Sequence, residues 1–253
     1  MVSFDLTGKV AIVTGGSRGL GKDMALGLAQ AGADLLLLAR NPQALEEAAG
    51  EIAGQTGRRV EWISADLDDV EAGRAAVART LELFGKVDIL VNNAAILERV
   101  AVDDVTPEVF DRMVNVNLRA PYFLSQEVVR AYMKEHGGNI VNICSIAGYR
   151  ASATSPMYPI TKYAEVMMTQ CQAAAWAQYG VFVNGIAPGQ MLLGMGAGSE
   201  EDWVAEMSAR VPQQRLGTHE DLTGALIYLC SDACRYTQGQ VVCCDGGLLL
   251  PLR

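Results

Sequence analysis

The stretch "KVAIVTGGSRGLGKDMALGLAQAGADLLLLAR", Lys9 to Arg40, holds two apolar runs, "KVAIVT" and "DLLLLA", separated by a glycine-rich turn and one helix-length segment. This pattern predicts strand, helix, strand, and a helix between two strands is the crossover that a parallel pair needs. The turn, "TGGSRGLG" from Thr14 to Gly21, leads straight into the helix. Its glycines at 15, 19 and 21 let backbone come close to a bound group. Free N–H groups at a helix N-terminus, together with the helix dipole, attract anions. Phosphate binding is therefore expected here, with Gly15, Ser17, Arg18, Gly19, Leu20 and Gly21 around the phosphate. The spacing G-x-x-x-G-x-G differs from the commoner G-x-G-x-x-G fingerprint, so on its own it also fits a helix-packing turn or the cofactor loop of a methyltransferase.

Outward from this unit the same alternation continues, with "RVEWIS", "VDILVN", "NIVNIC", "VFVNGIA" and "QVVCCD" set apart by segments of helical periodicity. Seven strands with helical crossovers predict an α/β chain with a mostly parallel sheet covered on both faces. At 253 residues, without an internal repeat or a linker, the chain reads as one domain over 1–253. Half of its residues are hydrophobic and 19% are charged, as in globular proteins. No run of eighteen apolar residues appears, and the opening "MVSFDLTGKV" lacks the regions of a signal peptide, so a cytoplasmic protein without a membrane partner is expected. The net charge of −9 argues against nucleic acid and acidic lipid surfaces as partners.

The six cysteines contain no C-x-x-C pair, and His136 and His219 stand apart, so no metal site is expected. Buried free thiols are the expected state, with Cys243 and Cys244 on opposite faces of a strand. The segment "PGQMLLGMGAGSEED", 188–202, follows a strand and mixes glycines with Met191, Leu192, Leu193 and Met195, taken as exposed. At the carboxyl edge of the sheet it reads as a lid within a region reaching to 212.

In the common fingerprint an acid at the end of the second strand holds the ribose 2′-hydroxyl of NAD. Here Ala39 and Arg40 stand in its place, Asp34 lies at the far end of the strand, and Arg18 sits inside the glycine turn. Two guanidinium groups and no acid suit an adenosine 2′-phosphate, hence NADP(H).

Further on, "SPMYPITKYAE" (155–165) places Tyr158 and Lys162 four apart. Ser155 reads as a helix N-cap and Pro156 as the first helical residue, which puts Tyr158 in the first turn and Lys162 on the same face. A neighbouring ammonium favours the phenolate, although the pair alone reads more readily as an ordinary surface tyrosine and lysine, and the rest of the chain decides.

Taken together, "TGGSRGLG", "ADL" at 65–67, "NNAA" at 92–95, "VNL" at 116–118, "CS" at 144–145, "YPITK" at 158–162, "APG" at 187–189 and "DGG" at 245–247 make the chain resemble the short-chain dehydrogenase/reductase family from about Gly8 to Gly247. Tyr158 follows Ser145 by thirteen residues, as is usual in that family. The resemblance implies a Rossmann-type doubly wound sheet of seven strands in the order 3-2-1-4-5-6-7, and carbonyl reductase or alcohol dehydrogenase chemistry. It makes Tyr158 the general acid and base and Ser145 a donor to the substrate oxygen. Lys162 would lower the tyrosine's pKa and hold the nicotinamide ribose, and Asn117 would anchor a water in the proton relay. Asp66, Leu67, Asn93, Pro188 and Gly189 fall at the cofactor, beside Tyr158 and Lys162.

Two departures stand out, Ala95 where the family has glycine and Pro159 directly after the tyrosine. The resemblance also implies a homotetramer that buries the apolar end "QVVCCDGGLLLPLR". For the substrate side, Arg150, Ser152 and Thr154 face the lid with its Met191, which suits a small compound with an anionic end. Sugar acids therefore rank above the thioesters of acyl-carrier-protein reductases, and a non-catalytic dinucleotide sensor remains the alternative from another class.

Overall fold

The computed structural model describes residues 2–192 and 200–250, so Leu193 and Met195 of the expected lid lie outside the described residues. Strands β1 (Val10–Thr14), β2 (Asp34–Ala39), β3 (Val60–Ser64), β4 (Ile89–Asn92), β5 (Gly138–Ile143), β6 (Val181–Pro188) and β7 (Val241–Cys244) form one sheet. All neighbours are parallel, in the order β3-β2-β1-β4-β5-β6-β7 that the family resemblance implies.

Successive side chains of a strand point to opposite faces. Accordingly Leu35 and Leu37 of β2 pack with Met24, Leu28 and Leu226 on one side, while Leu36 and Leu38 pack with Val77, Leu124 and Val128 on the other. The first layer is α1 (Gly19–Gln30), α2 (Pro42–Thr56) and α9 (His219–Cys230). The second contains α3 (Val70–Phe84) and the rod that joins β4 to β5. Burying both faces is why these strands read as unbroken apolar runs.

That rod runs through α4 (Pro107–Val114), a widened π turn at Asn115–Arg119, α5 (Ala120–Val128), a second π turn at Val129–Met133 and α6 (Lys134–His136). Pro121 lacks the N–H that the carbonyl of Asn117, four residues earlier, would receive in a regular helix. The helix widens just before it, and the N–H of Ala120 bonds instead to the carbonyl of Asn115.

Helix α7 (Met157–Trp176) crosses from β5 to β6, and α8 (Glu201–Ala209) precedes α9. The start of α7 differs from the sequence expectation. Pro156, already helical at φ −67° and ψ −33°, is the cap, and Ser155 is not. The Ser155 hydroxyl donates to the Glu98 carbonyl at 2.9 Å, which holds it to the loop before α4 and away from the helix end. Tyr158 and Pro159 are thus the second and third helical residues. The N–H that Pro159 lacks is one of those without an intrahelical acceptor in any helix.

The thiols also depart in part from expectation. Cys144, Cys230 and Cys234 are buried, but Cys171 and Cys243 are exposed. Cys171 lies on the outer side of α7, and Cys243 lies on the last strand of the sheet, facing away from Cys244, which packs against the core beside α9. Among the described residues, no helix is long and apolar enough to cross a membrane.

Candidate active site

The strand order reverses at β1, which has β2 on one side and β4 on the other. At such a point the crossovers leave for opposite faces and open a crevice at the carboxyl ends of the strands. The glycine turn lies in that crevice. Gly15 has φ +68°, a conformation open to glycine, and its N–H donates to the Leu38 carbonyl at 2.7 Å. A Cβ on Gly15 would stand 2.7 Å from Asn93 Nδ2, and one on Gly21 would stand 2.2 Å from the Gly15 carbonyl oxygen. Asn93 is itself pinned, since its Nδ2 donates to the Thr14 carbonyl and its backbone N–H to the Thr14 hydroxyl, both at 2.9 Å. It braces the turn from below.

Helix α1 begins after an extended Arg18 with no side-chain cap and no acid in its first turn. Its end therefore suits an anion. A cavity of about 750 Å³ adjoins it, lined among others by Ser17, Arg18, Arg40, Asp66, Leu67 and Asn93. Asp34 is engaged at the other end of β2, where Arg58 pairs with it at 2.7 Å. A dinucleotide with a 2′-phosphate fits this donor set, with backbone N–H groups for its pyrophosphate and two guanidinium groups near the ribose.

A second cavity, of about 640 Å³, shares Leu20, Asn93 and Ala95 with the first and is lined by Ser145, Tyr158, Lys162, Pro188, Gly189 and Met191. The methyl of Ala95, one of the two departures, thus lies where the cavities meet. Gly189 permits a close approach, since a Cβ there would lie 2.5 Å from Asp245 Cα. Ser145 stands two residues beyond β5 and caps the short turn Ile146–Tyr149, where its hydroxyl accepts from the Ala147 N–H at 3.1 Å. Burial pushes the Tyr158 phenol above its usual range, with the Lys162 ammonium opposing and the Glu165 carboxylate adding to the rise. The net direction is opposite to the lowering expected of Lys162.

Burial is the main cause, and a residue that the sequence reading did not single out, Glu165, adds to it. Lys162 Nζ lies 5.8 Å from the Tyr158 ring centroid and donates to the Ile143 carbonyl and to both carboxylate oxygens of Glu165, each at 2.9 Å. Asn117 is fully buried, and its side chain is already engaged. Oδ1 accepts from the Ile96 N–H at 2.8 Å, and Nδ2 donates to the Ile96 carbonyl at 2.9 Å and the Thr161 hydroxyl at 3.1 Å. The group left for any water is its main-chain carbonyl, which Pro121 deprives of its regular helical donor.

Arg150, Ser152 and Thr154 line the second cavity, and Arg150 donates to the Leu248 carbonyl. Arg99, Gln190 and Arg210 line it too. No local motif marks them, because they converge from separate loops. Met191 is not an exposed lid residue. It is 6% exposed and bridges to Gly217, where the Gly217 N–H donates to the Gln190 carbonyl and the Leu192 N–H to the Gly217 carbonyl, both at 2.9 Å. These bonds draw Met191 into the core, while Leu192 is exposed.

Residues 9–203 match the family model described as short chain dehydrogenase. The chain belongs to that family. This short-chain dehydrogenase is 36% identical over 250 residues to the 2-dehydro-3-deoxy-D-gluconate 5-dehydrogenase of Dickeya dadantii, with 98% of each chain covered. It is 35% identical over 253 residues to the gluconate 5-dehydrogenase of Gluconobacter oxydans, again with 98% of each covered. Among solved structures, a gluconate 5-dehydrogenase from Burkholderia cenocepacia in complex with NADP and tartrate superposes with a TM-score of 0.91 at 33% identity, covering 98% of both chains.

Proposed function

We propose that this short-chain dehydrogenase interconverts a ketone and a secondary alcohol with NADP(H), on a small hydroxy or keto compound such as a sugar acid. One observation carries the reading: Ser145, Tyr158 and Lys162 line a single cavity that adjoins the cavity at the glycine turn. When bound, the nicotinamide supplies or accepts the hydride. The phenol of Tyr158 gives its proton to the carbonyl oxygen in reduction, and the phenolate takes it back in oxidation. The Ser145 hydroxyl donates to the same oxygen and offsets its developing charge. The main-chain carbonyl of Asn117 holds the water that passes protons onward.

Three guanidinium groups, Arg99, Arg150 and Arg210, around the mouth favour a carboxylate-bearing substrate. The names of the relatives from D. dadantii and G. oxydans, and the hydroxy acid tartrate in the B. cenocepacia structure, point the same way. A homotetramer belongs to the same reading. Ile160, Tyr163 and Met167, exposed along one side of α7, are the apolar surface that it would cover.

NADPH consumption with a panel of keto sugar acids, neutral ketones and an acyl-carrier thioester tests the substrate class. The highest kcat/KM is expected with a keto acid, and a thioester that outcompetes every small ketone would overturn the assignment. Arg40→Asp replaces a charge-assisted contact with a repulsive one. It is expected to lower kcat/KM for NADPH by roughly a hundredfold, about 3 kcal/mol, while sparing NADH. A wild type equally efficient with both cofactors would contradict the roles of Arg18 and Arg40.

A further inference from the structure

Lys162 and Glu165 are 2% and 4% exposed, one helical turn apart on α7. Burying two charges costs several kcal/mol each before their attraction is counted, and an apolar pair of similar volume often serves a fold as well or better. Val166 and Met168, buried on the same helix, show that apolar side chains are accommodated there. Glu165 does not line the cavity, so the reaction as derived gives it no part.

We propose that Glu165 is a positioning residue: it holds the Lys162 ammonium against β5 and offsets its field at Tyr158, keeping the phenol protonated at neutral pH and biasing the enzyme toward ketone reduction. The proposal rests on Tyr158 being the acid and base of the reaction.

The geometry is specific. An ammonium has three hydrogens, and the Lys162 Nζ already has three acceptors at 2.9 Å, the Ile143 carbonyl and the two Glu165 oxygens. Tyr158 lies one turn before Lys162 on the same face, and Glu165 one turn after, so Glu165 reaches the tyrosine chiefly through the lysine.

Besides Lys162, the titratable groups at this face are Tyr158 on α7 and Cys144 just after β5, with Cys243 of β7 beyond it. Burial raises the Cys144 thiol, which therefore stays neutral and adds no charge to the balance. Burial by itself would lower the Lys162 ammonium, and the Glu165 carboxylate raises it. Burial pushes Glu165 up to about 7 against the pull of Lys162. The pair is therefore ionised above neutrality, the range in which Tyr158 would begin to titrate.

The sign follows from the chemistry. Reduction needs the phenol, present below the Tyr158 pKa, and oxidation needs the phenolate, present above it. A counter-ion that weakens the lysine's field raises that pKa, which extends reduction to higher pH and moves oxidation upward.

Tyrosinate absorbance of the cofactor-free protein, taken as wild type minus Tyr158→Phe, isolates the Tyr158 ionisation without any turnover. In the wild type it is expected at or above the value of a free phenol, about 10. Glu165→Gln keeps the shape and removes the charge. It is expected to lower the ionisation by about one pH unit or more and to move the alkaline rise of alcohol oxidation the same way. Glu165→Asp, which keeps the charge, is expected to restore most of the wild-type value. A wild-type Tyr158 that ionises below about 9, or one unmoved in Glu165→Gln, would overturn the proposal. If the Gln variant does not fold, the wild-type titration decides alone. Loss of the activity reading through absence of turnover on every ketone, with the Tyr158 shift intact, would still support this role for Glu165.

Discussion

Tyr158→Phe is expected to lower turnover by roughly 10²- to 10⁴-fold in both directions while leaving the affinity for NADPH nearly unchanged. The ring stays and continues to fill the cavity between Ser145 and Lys162, so packing at the start of α7 is preserved. What is lost is the hydroxyl proposed to exchange a proton with the substrate oxygen. Because that exchange belongs to the transition state, kcat and kcat/KM should fall together, with little change in KM. Steady-state kinetics beside NADPH fluorescence titration separates the two quantities. A variant that keeps more than a tenth of wild-type turnover, a loss below about 1.4 kcal/mol, would remove Tyr158 from the role of acid and base.

Gly21→Ala is expected to damage both the cofactor site and the fold around it. The added methyl would lie 2.2 Å from the Gly15 carbonyl oxygen, 2.8 Å from its carbon and 2.5 Å from Asn93 Nδ2. None of these atoms is the free end of a flexible chain. Gly15 is tied to Leu38 by its N–H, and Asn93 is tied to Thr14 through side chain and backbone. The turn has to open, which costs about 1–3 kcal/mol as overpacking, and the N–H groups at the start of α1 lose their alignment. A lower urea midpoint together with at least a tenfold weaker NADPH affinity is the expected result. Gly54→Ala serves as the control. Gly54 sits in α2 with open space around it, and the change should stabilise the protein by about 0.5–1 kcal/mol. Equal behaviour of the two variants would show that the contact at Gly21 does not govern the turn.

The fold was legible in the sequence because the signals for it are local. Seven apolar runs at helix-length intervals specify a parallel sheet covered on both faces, and β1, β2 and β4 to β6 bury their side chains in two layers as those runs require. Boundaries were less legible. Ser155 has the chemistry of a cap, yet the Glu98 carbonyl, 57 residues away in sequence, takes its hydroxyl, and nothing near position 155 announces that competitor. Met191 looked like lid surface for the same reason, since its burial depends on Gly217 across an isolated bridge.

Of the candidate site, the sequence by itself determined the residue types and their order: a glycine turn between the first strand and helix, arginines at 18 and 40 with no acid at 39, and Ser145, Tyr158 and Lys162 at family spacing. Only the tertiary structure decided which groups meet. It brought Arg99 and Arg210 to the cavity mouth beside Arg150, engaged the Asn117 side chain with Ile96 and Thr161, and buried the locally spaced pair of Lys162 and Glu165. The physical reason is that backbone propensity and apolar periodicity act within a few residues. The charge on a buried group depends on what the sheet and its crossovers place within hydrogen-bonding reach of it, and at Lys162 that includes the Ile143 carbonyl, 19 residues earlier on another element.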